Sequence, residues 1–271
     1  MRVRDALDRE VQLDGPARRV VSLVPSETES VAALAGLDRL VARTEYCEEP
    51  AGAIESVPTV GGTKKADVDA IVQLAPDLVL ANQEENGRRD VERLIDAGLT
   101  VHVSFPCTVA ESLAYVIRLA ALLGVPAPAI EAPPRRPGAA RVFAPVWKDP
   151  WMTFDGRTYA SDLLAHVGAD NVFADRPRRY PLAADVADAA PVDAGERDTR
   201  YPRTTLDEVR ARRPDLVLLP DEPYAFDETH AAALRDSGIA ARIDLVSGKD
   251  LFWYGLRTFG AVRRLQALIG R

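Results

Sequence analysis

The sequence predicts an α/β protein of two lobes of the same design, each built on a central parallel sheet. Three observations carry this. Short β-branched runs alternate with helical patterns along the whole chain, as parallel βαβ architecture requires. Segments of the first half recur, in order, in the second. Between the halves lies an apolar helical pattern that runs into a proline-rich stretch.

The strands are predicted at Arg19–Val24, Leu40–Arg43, Leu78–Ala81 and Thr100–Val103, then at Arg141–Val146, Asn171–Phe173, Leu216–Leu219 and Arg242–Val246. Helices between them start at capping boxes, a hydroxyl with a carboxylate three residues on: Ser26/Glu29, Thr108/Glu111 and Thr205/Glu208. They stop at Gly36, Gly98, Gly124, Gly168 and Gly238, or before Pro76 and Pro214. In the repeat, DVDAIVQLAPDLVLANQEEN from Asp67 matches TLDEVRARRPDLVLLPDEPY from Thr205, GLDRLVA from Gly36 matches GADNVFA from Gly168, and LIDAGLT from Leu94 matches LRDSGIA from Leu234. Any one such match could arise by chance; three in order argue for two lobes of the same design.

The domain expectation is therefore a first lobe over 1–107, a linker over 108–140 and a second lobe over 141–271. TVAESLAYVIRLAALLG, from Thr108, reads as an inter-lobe helix of about 16 residues, roughly 24 Å long. VPAPAIEAPPRRPGAA behind it has too much proline to continue as helix and reads as an extended tether. A second irregular stretch, 176–203, carries RYP twice and reads as a mobile insertion.

Composition excludes several classes. With 271 residues, 47% hydrophobic and 28% charged, the chain buries a full core and is neither disordered nor fibrous. A net charge of −7 provides no field for a phosphate backbone, which argues against nucleic acid. Cys47 and Cys107 form no C-x-x-C pair and read as reduced thiols. No stretch approaches the roughly 18 apolar residues of a membrane span. The N-terminus MRVRDALDREVQLDGPARR has no apolar core of a secretory signal, so the chain as written is expected in the cytoplasm, and outside it if a leader has been removed.

In open α/β sheets, ligands lie beyond the carboxyl ends of the strands. Unusual residues gather on those loops: Pro25-Ser26, Glu45-Tyr46-Cys47, Asn82 to Asn86, and Phe105-Pro106 in the first half. The second half offers Trp147 to Trp151, Glu222-Pro223-Tyr224, and Phe252-Trp253-Tyr254. All three tryptophans fall there, as walls for a large, partly apolar ligand would. Packing between the lobes is the plain alternative.

Catalytic patterns are weak. There is no G-x-S-x-G, H-E-x-x-H or Walker loop, and VGGTKK at 60–65 reads as a tight turn. His102, His166 and His230 sit in ordinary strand and helix contexts, and Glu45, Glu48 and Glu49 read as a solvated acidic loop. No catalytic residue, intrinsic cofactor or protein-held metal is assigned.

RVVSLVPSETE, TEYCEEP, VGGTKKADVDAIVQLAPDLVLANQEEN, PVWKDPWM, RYP, DLVLLPDEPY and FWYGLRT together resemble the helical-backbone metal receptors. These are the ABC-transporter substrate-binding proteins for vitamin B12, ferric siderophores and haem, and the likeness is greatest to the cobalamin-binding branch. The resemblance runs from about Asp14 to the C-terminus. It implies two Rossmann-like lobes bridged by a helix, with the ligand in a cleft between them. It implies an aromatic wall at Tyr46, Trp147, Trp151 and the stretch Asp250–Arg257, with Asn82 standing where the family carries a ring. It also implies one carboxylate on each lobe for an ABC permease, at Asp69 and Asp207; both also suit the first turn of a helix, where they favour the dipole.

The expectation that results is a non-enzymatic, monomeric receptor for a bulky metal chelate: cobalamin or another corrinoid first, a ferric siderophore or haem next. Trp147, Trp151, Trp253 and Tyr254 would supply apolar walls, and Ser26, Lys64, Tyr224 and Arg257 hydrogen-bond donors. The alternatives are a chelatase-like tetrapyrrole enzyme using His102 or Glu45, a cytoplasmic corrinoid or metal sensor, and a protein-binding module.

Overall fold

A computed structural model describes residues 1–270 of the chain. It divides into two compact units. The first comprises Met1–Pro106, Ala110–Ala132 and Tyr254–Arg257; the second comprises Cys107–Val109, Pro133–Trp253 and the chain from Thr258 onward.

The first unit opens with a hairpin of β1 (Arg2–Arg4) and β2 (Glu10–Gln12), antiparallel. Three-residue strands carry too little alternation to be seen in a sequence. Asp5 closes the turn, accepting the N–H groups of Leu7 and Arg9 at 3.0 Å each. The sheet follows: β3 (Val20–Ser22), α1 (Pro25–Ala35), β4 (Leu40–Arg43), α2 (Val68–Leu74), β5 (Leu78–Asn82), α3 (Arg88–Asp96) and β6 (Val101–Ser104), then α4 (Val109–Leu123). The strands are parallel in the order β4-β3-β5-β6. β5 is buried at every position, the pattern of a central strand covered on both faces. Val21, Val79, Val101, Ile71 and Leu94 share one core, and each such side chain is worth about 1.5–3 kcal/mol when buried.

The second unit repeats the plan with β7 (Ala140–Phe143), α5 (Tyr159–Val167), β8 (Ala169–Asn171), α6 (Leu182–Val186), α7 (Leu206–Arg212), β9 (Leu216–Pro220), α8 (Glu228–Asp236), β10 (Arg242–Val246), α9 (Gly248–Phe252) and α10 (Arg257–Ile269). Its order, β8-β7-β9-β10, all parallel, is that of the first sheet, strand for strand. The core gathers Phe143, Phe173, Val209, Val217, Leu219 and Leu234.

The repeat in the sequence is a repeated turn in space. α2 ends on Ala75 in the left-handed conformation, φ 43°, because the following Pro76 disfavours right-handed helix at the residue before it. Asp77 then accepts the backbone N–H of Arg18 at 2.7 Å and of Arg19 at 2.9 Å, and its own N–H donates to the Arg19 carbonyl at 2.8 Å. The Arg19 guanidinium donates to the Leu74 carbonyl at 2.7 Å, closing the helix end. In the second unit Arg213, φ 49°, precedes Pro214, and Asp215 accepts the Arg141 N–H at 2.9 Å while the Arg141 guanidinium reaches the Arg212 carbonyl at 2.6 Å.

Two expectations are corrected. The Ser26/Glu29 capping box does not form: α1 starts at Pro25, two residues before the start a Ser26 cap requires, because the fixed φ of proline suits the first helical turn, and Val24 stands at the N-cap with no side-chain bond. The proline-rich run has no helix or strand before Ala140, where β7 begins, and its second half is held as a semi-rigid segment. Within the second unit the Arg136 N–H donates to the Ala165 carbonyl at 3.0 Å and the Ala139 N–H to the Gly168 carbonyl at 2.7 Å. The insertion expected to be mobile is pinned. Arg176 is buried and pairs with Asp185 at 2.8 Å and Glu208 at 3.1 Å, and Asp185 also accepts the N–H groups of Arg179 at 3.0 Å and Arg203 at 2.8 Å. Among the described residues no helix is long and apolar enough to cross a membrane.

Removing the Asp77 carboxylate deprives two backbone N–H groups of their acceptor. Asp77→Ala is expected to cost about 1–2 kcal/mol, and Asp77→Asn, which keeps an acceptor oxygen, less. Urea unfolding checks this: the midpoint falls in that order with an unchanged slope, and equal midpoints in all three proteins refute the role of the turn.

Candidate functional site

In the first unit the loops at the carboxyl ends of the strands enclose a polar network. Glu27 lies on the first turn of α1 and is fully buried. Its Oε1 accepts hydrogen bonds from the Ser104 hydroxyl, at the end of β6, and from the Tyr254 hydroxyl at 2.6 Å. Ser104 and Tyr254 are 2.7 Å apart, and the Asn82 amide donates to both, at 3.1 and 3.0 Å. The Asn82 carbonyl oxygen accepts the N–H groups of Glu84 at 2.7 Å and Glu85 at 3.2 Å. Tyr115 of α4 meets Tyr254 edge-on at 5.5 Å.

No cation among the described residues pairs with Glu27. Burial pushes its carboxyl from the ordinary 4.5 up to about 7, against the opposing effect of the Ser104, Tyr254 and Tyr115 hydroxyls. A neutral acid suits the site: Oε1 accepts two hydroxyl protons, and Oε2 can hold its own. His102 of β6, 6.0 Å from Tyr115, moves the other way: burial and then the charge of Arg118 bring it down to about 4.

Around this interior the surface loops are tied together. Gly61 has φ 82° and Gly62 leaves space for the Tyr46 ring, whose edge would stand 3.1 Å from a Cβ there. This makes VGGTKK the expected tight turn, with the Gly62 N–H bonded to the Lys65 carbonyl at 3.1 Å. Lys64 donates to the Glu84 carbonyl, and the Asn86 amide to the Thr63 carbonyl at 2.9 Å. Tyr46 is 57% exposed.

The second unit presents an aromatic face instead. Trp147 follows β7 and opens a turn closed by the Met152 N–H on the Trp147 carbonyl at 3.0 Å. Its ring, 44% exposed, stands edge-on to Tyr224 at 5.3 Å. Trp151 stacks on Phe226 at 5.7 Å with 4° between planes, and Tyr224 and Phe226 are 4.7 Å apart. His230 of α8 packs edge-on against Tyr224 and Phe226, and its Nε2 lies 3.4 Å from the Tyr224 hydroxyl. The second ring nitrogen, Nδ1, is 2.7 Å from Asp227 in the capping box of α8.

The structure thus brings Trp147, Trp151 and Tyr224 together on one face of the second unit, and adds Phe226 and His230. Phe226 was legible only as the second ring of PYAF, and His230 only as the third residue after an N-cap Asp. Other predicted residues turn inward. Asn82 and Tyr254 spend their polar atoms in the Glu27 network, and Ser26 is buried in the first turn of α1. Asp250 is buried on Arg264 at 2.5 Å, and the Trp253 indole N–H donates to Glu222 at 2.5 Å. Arg257 pairs with Glu29 at 2.7 Å in the first unit. Asp69 and Asp207 occupy the same place in α2 and α7, with side chains 83% and 84% exposed, beside Arg93 and Arg210. Neither Cys47 nor Cys107 is in a disulfide among the described residues. Among the described residues no group of three or more His, Cys, Asp and Glu is placed to hold a metal ion.

Known proteins match this chain in sequence and in fold. The family described as periplasmic binding protein matches residues 20–132. A vitamin B12-binding protein of Yersinia pestis (strain Pestoides F) is 27% identical over 229 residues, covering 79% of this chain and 74% of the relative. Among solved structures, the periplasmic vitamin B12-binding protein of Vibrio cholerae superposes with a TM-score of 0.66 at 20% identity, over 94% of this chain and 97% of that one. The apo periplasmic haem-binding protein of Roseiflexus sp. RS-1 gives 0.71 at 19% identity, over 94% and 98%. A Helicobacter pylori protein solved as a nickel–histidine complex gives 0.72 at 14%, over 98% and 87%. At these identities the solved structures establish the fold.

The Glu27 carboxyl sets a testable pH dependence. Between 4.5 and about 7 the folded protein keeps a proton that the unfolded chain has lost, so this group's contribution to stability falls as pH rises through that window. Above it the full penalty of an ionised, buried carboxyl applies, at most ~3 kcal/mol. His102 acts in the opposite direction as pH rises through 4 to 6.5, so the comparison must be with a variant. Glu27→Gln is expected to match the wild type in urea unfolding at pH 4.5 and to exceed it at pH 8; parallel pH profiles would assign the titration elsewhere.

Proposed function

We propose that the chain is a member of the periplasmic binding protein family, whose model matches residues 20–132, and that it is a non-enzymatic receptor for a bulky metal chelate, a corrinoid before a haem or a ferric siderophore. The observation that carries the reading is the partly exposed aromatic face of Trp147, Trp151 and Tyr224, backed by the buried Phe226, at the carboxyl end of the second sheet. Flat rings that lie partly open to solvent and are fixed by one another bind a large, partly apolar macrocycle with little ordering cost. The metal is cargo, held by the chelate. The name of the Yersinia pestis relative favours the corrinoid. In this role the protein works outside the cytoplasmic membrane, where its named relatives are described as periplasmic.

Equilibrium dialysis against hydroxocobalamin, followed by corrin absorbance, tests the reading. Saturable one-to-one binding is expected, weakened about 10- to 100-fold in Trp147→Ala, the equivalent of burying one ring. Binding of haemin but not of hydroxocobalamin would move the assignment to haem, and binding of no chelate by the wild type would reject it.

Delivery to an ABC permease is assigned to Asp69 and Asp207. Each sits in the first turn of its helix, solvent-exposed, and each unit carries one. Asp69→Lys/Asp207→Lys is expected to leave chelate affinity unchanged and to lower uptake by cells expressing the cognate permease roughly tenfold or more. Unchanged uptake would leave the two acids with a role only at the helix dipole.

A further inference from the structure

We propose that Arg178 and Arg203 form an anion-recognising edge to the aromatic face of the second unit, so that the chelate it takes carries a phosphate or carboxylate group. The inference rests on the reading of that face as the ligand surface.

The insertion 176–203 carries six arginines, and three of these side chains are already committed. Arg176 is held by Asp185 and Glu208, and Arg200 pairs with Asp198 at 2.7 Å. Arg197 donates to the carbonyls of Ala194 at 2.9 Å and Asp193 at 2.8 Å while lying over the Tyr180 ring at 4.4 Å. Arg178 lies over the same ring at 4.6 Å, and its Nε is buried with no hydrogen-bond partner. Among the described residues neither Arg178 nor Arg203 forms an ion pair or a side-chain hydrogen bond.

The two are neighbours. One carboxylate, Asp185, accepts the backbone N–H of Arg179 and of Arg203 through its two oxygens, which brings the chain beside Arg178 up to Arg203. Burial, and then the charge of Arg178, hold the Arg203 guanidinium below its ordinary value, as expected of two cations close together. Asp185 is the acid that opposes this, and it is already shared by Arg176 and the two backbone amides.

The segment that carries the pair is paired with the turn that carries the rings. Arg203 lies opposite Met152 in an antiparallel bridge, and the next residue, Thr204, donates its N–H to the Trp151 carbonyl at 2.9 Å. Two half-buried guanidinium groups with no carboxylate bonded to them, on a segment hydrogen-bonded to the backbone of an aromatic face, match the chemistry of a macrocycle that bears an acid at its edge.

The test compares probes with and without the acid. Affinities of the wild type and of Arg178→Met/Arg203→Met are measured for haemin against its dimethyl ester, which differs only at the carboxylates, and for hydroxocobalamin against cobinamide, which lacks the phosphodiester together with the rest of the nucleotide loop. The proposal expects the double variant to lose roughly tenfold or more for the acidic member of the pair that binds, and less than about twofold for the neutral one. Arg179→Met, which removes an exposed neighbouring charge, should change neither. Equal losses for acidic and neutral probes, or none, overturn the proposal. If the wild type binds none of the four, the receptor reading fails, and the anion edge is judged alone by thermal melting in pyrophosphate against chloride at matched ionic strength. Stabilisation lost in the double variant then upholds it, and stabilisation retained or absent from the wild type overturns it.

Discussion

The hydrogen bonds between the Asp77 carboxylate and the backbone at Arg18 and Arg19, and the matching bond from Asp215 to Arg141, set the terms for the rest of the molecule. Parallel neighbours are never joined by a short hairpin, so their register has to be fixed by something other than a turn between them. Here the helix before β5 ends in a left-handed residue and a proline, and the aspartate that follows grips the amino end of β3. β7 and β9 are locked by the same device. With the amino ends fixed, the carboxyl ends of all four strands in each sheet carry the variable loops, and function can be written there without disturbing the sheet.

Those loops have been used in opposite ways. In the first unit they turn inward onto Glu27, and the result explains why Asn82 is not a ring. Its amide bonds Ser104 and Tyr254, and its carbonyl oxygen accepts the amides of Glu84 and Glu85. An aromatic residue at this position would leave two loop amides and two hydroxyls short of partners, each at a cost of about 1–3 kcal/mol where buried. In the second unit the loops turn outward, and rings support rings. Trp151 on Phe226 and Trp147 on Tyr224 form a surface whose order comes from mutual packing, with only His230 adding a polar atom.

What could be read in the sequence follows from distance along the chain. Seven of the eight sheet strands, the Pro-Asp turns and the glycine helix ends were legible, because alternation, proline and positive-φ glycine act within a few residues, whereas the strand expected at Asn171–Phe173 lies two residues earlier, at Ala169–Asn171. The duplicated pattern implied that the two sheets share one design, but not the strand order itself. The orientation of loop side chains did not. Tyr254 is paired with Glu27 across 227 residues, and nothing near Tyr254 announces that its hydroxyl is claimed. Asp250, in α9, looked like a ligand-facing acid until Arg264, 14 residues on in α10, took it. The Ser26 cap failed on a local rule that was visible: Pro25 starts a helix as readily as a serine caps one, and the structure chose the proline.

The insertion shows how a mostly acidic protein can still present cationic chemistry. With a net charge of −7, an arginine placed at random on this chain finds an acid, and Arg176, Arg200 and Arg212 each did. Asp185 has the opposite job: buried, and shared by Arg176 and two backbone amides, it organises the segment and forms no side-chain ion pair with Arg178 or Arg203. The fold therefore spends its acid on holding the loop against Met152–Asp155, and leaves Arg178 and Arg203 unneutralised on the segment paired with the ring-bearing turn. Rings attract a macrocycle without direction, because apolar burial depends on area alone. Guanidinium groups at a fixed edge supply direction, since their N–H donors point along set lines. A surface that combines the two distinguishes one orientation of a near-symmetric ligand from another, which neither the aromatic face nor the charged edge does separately.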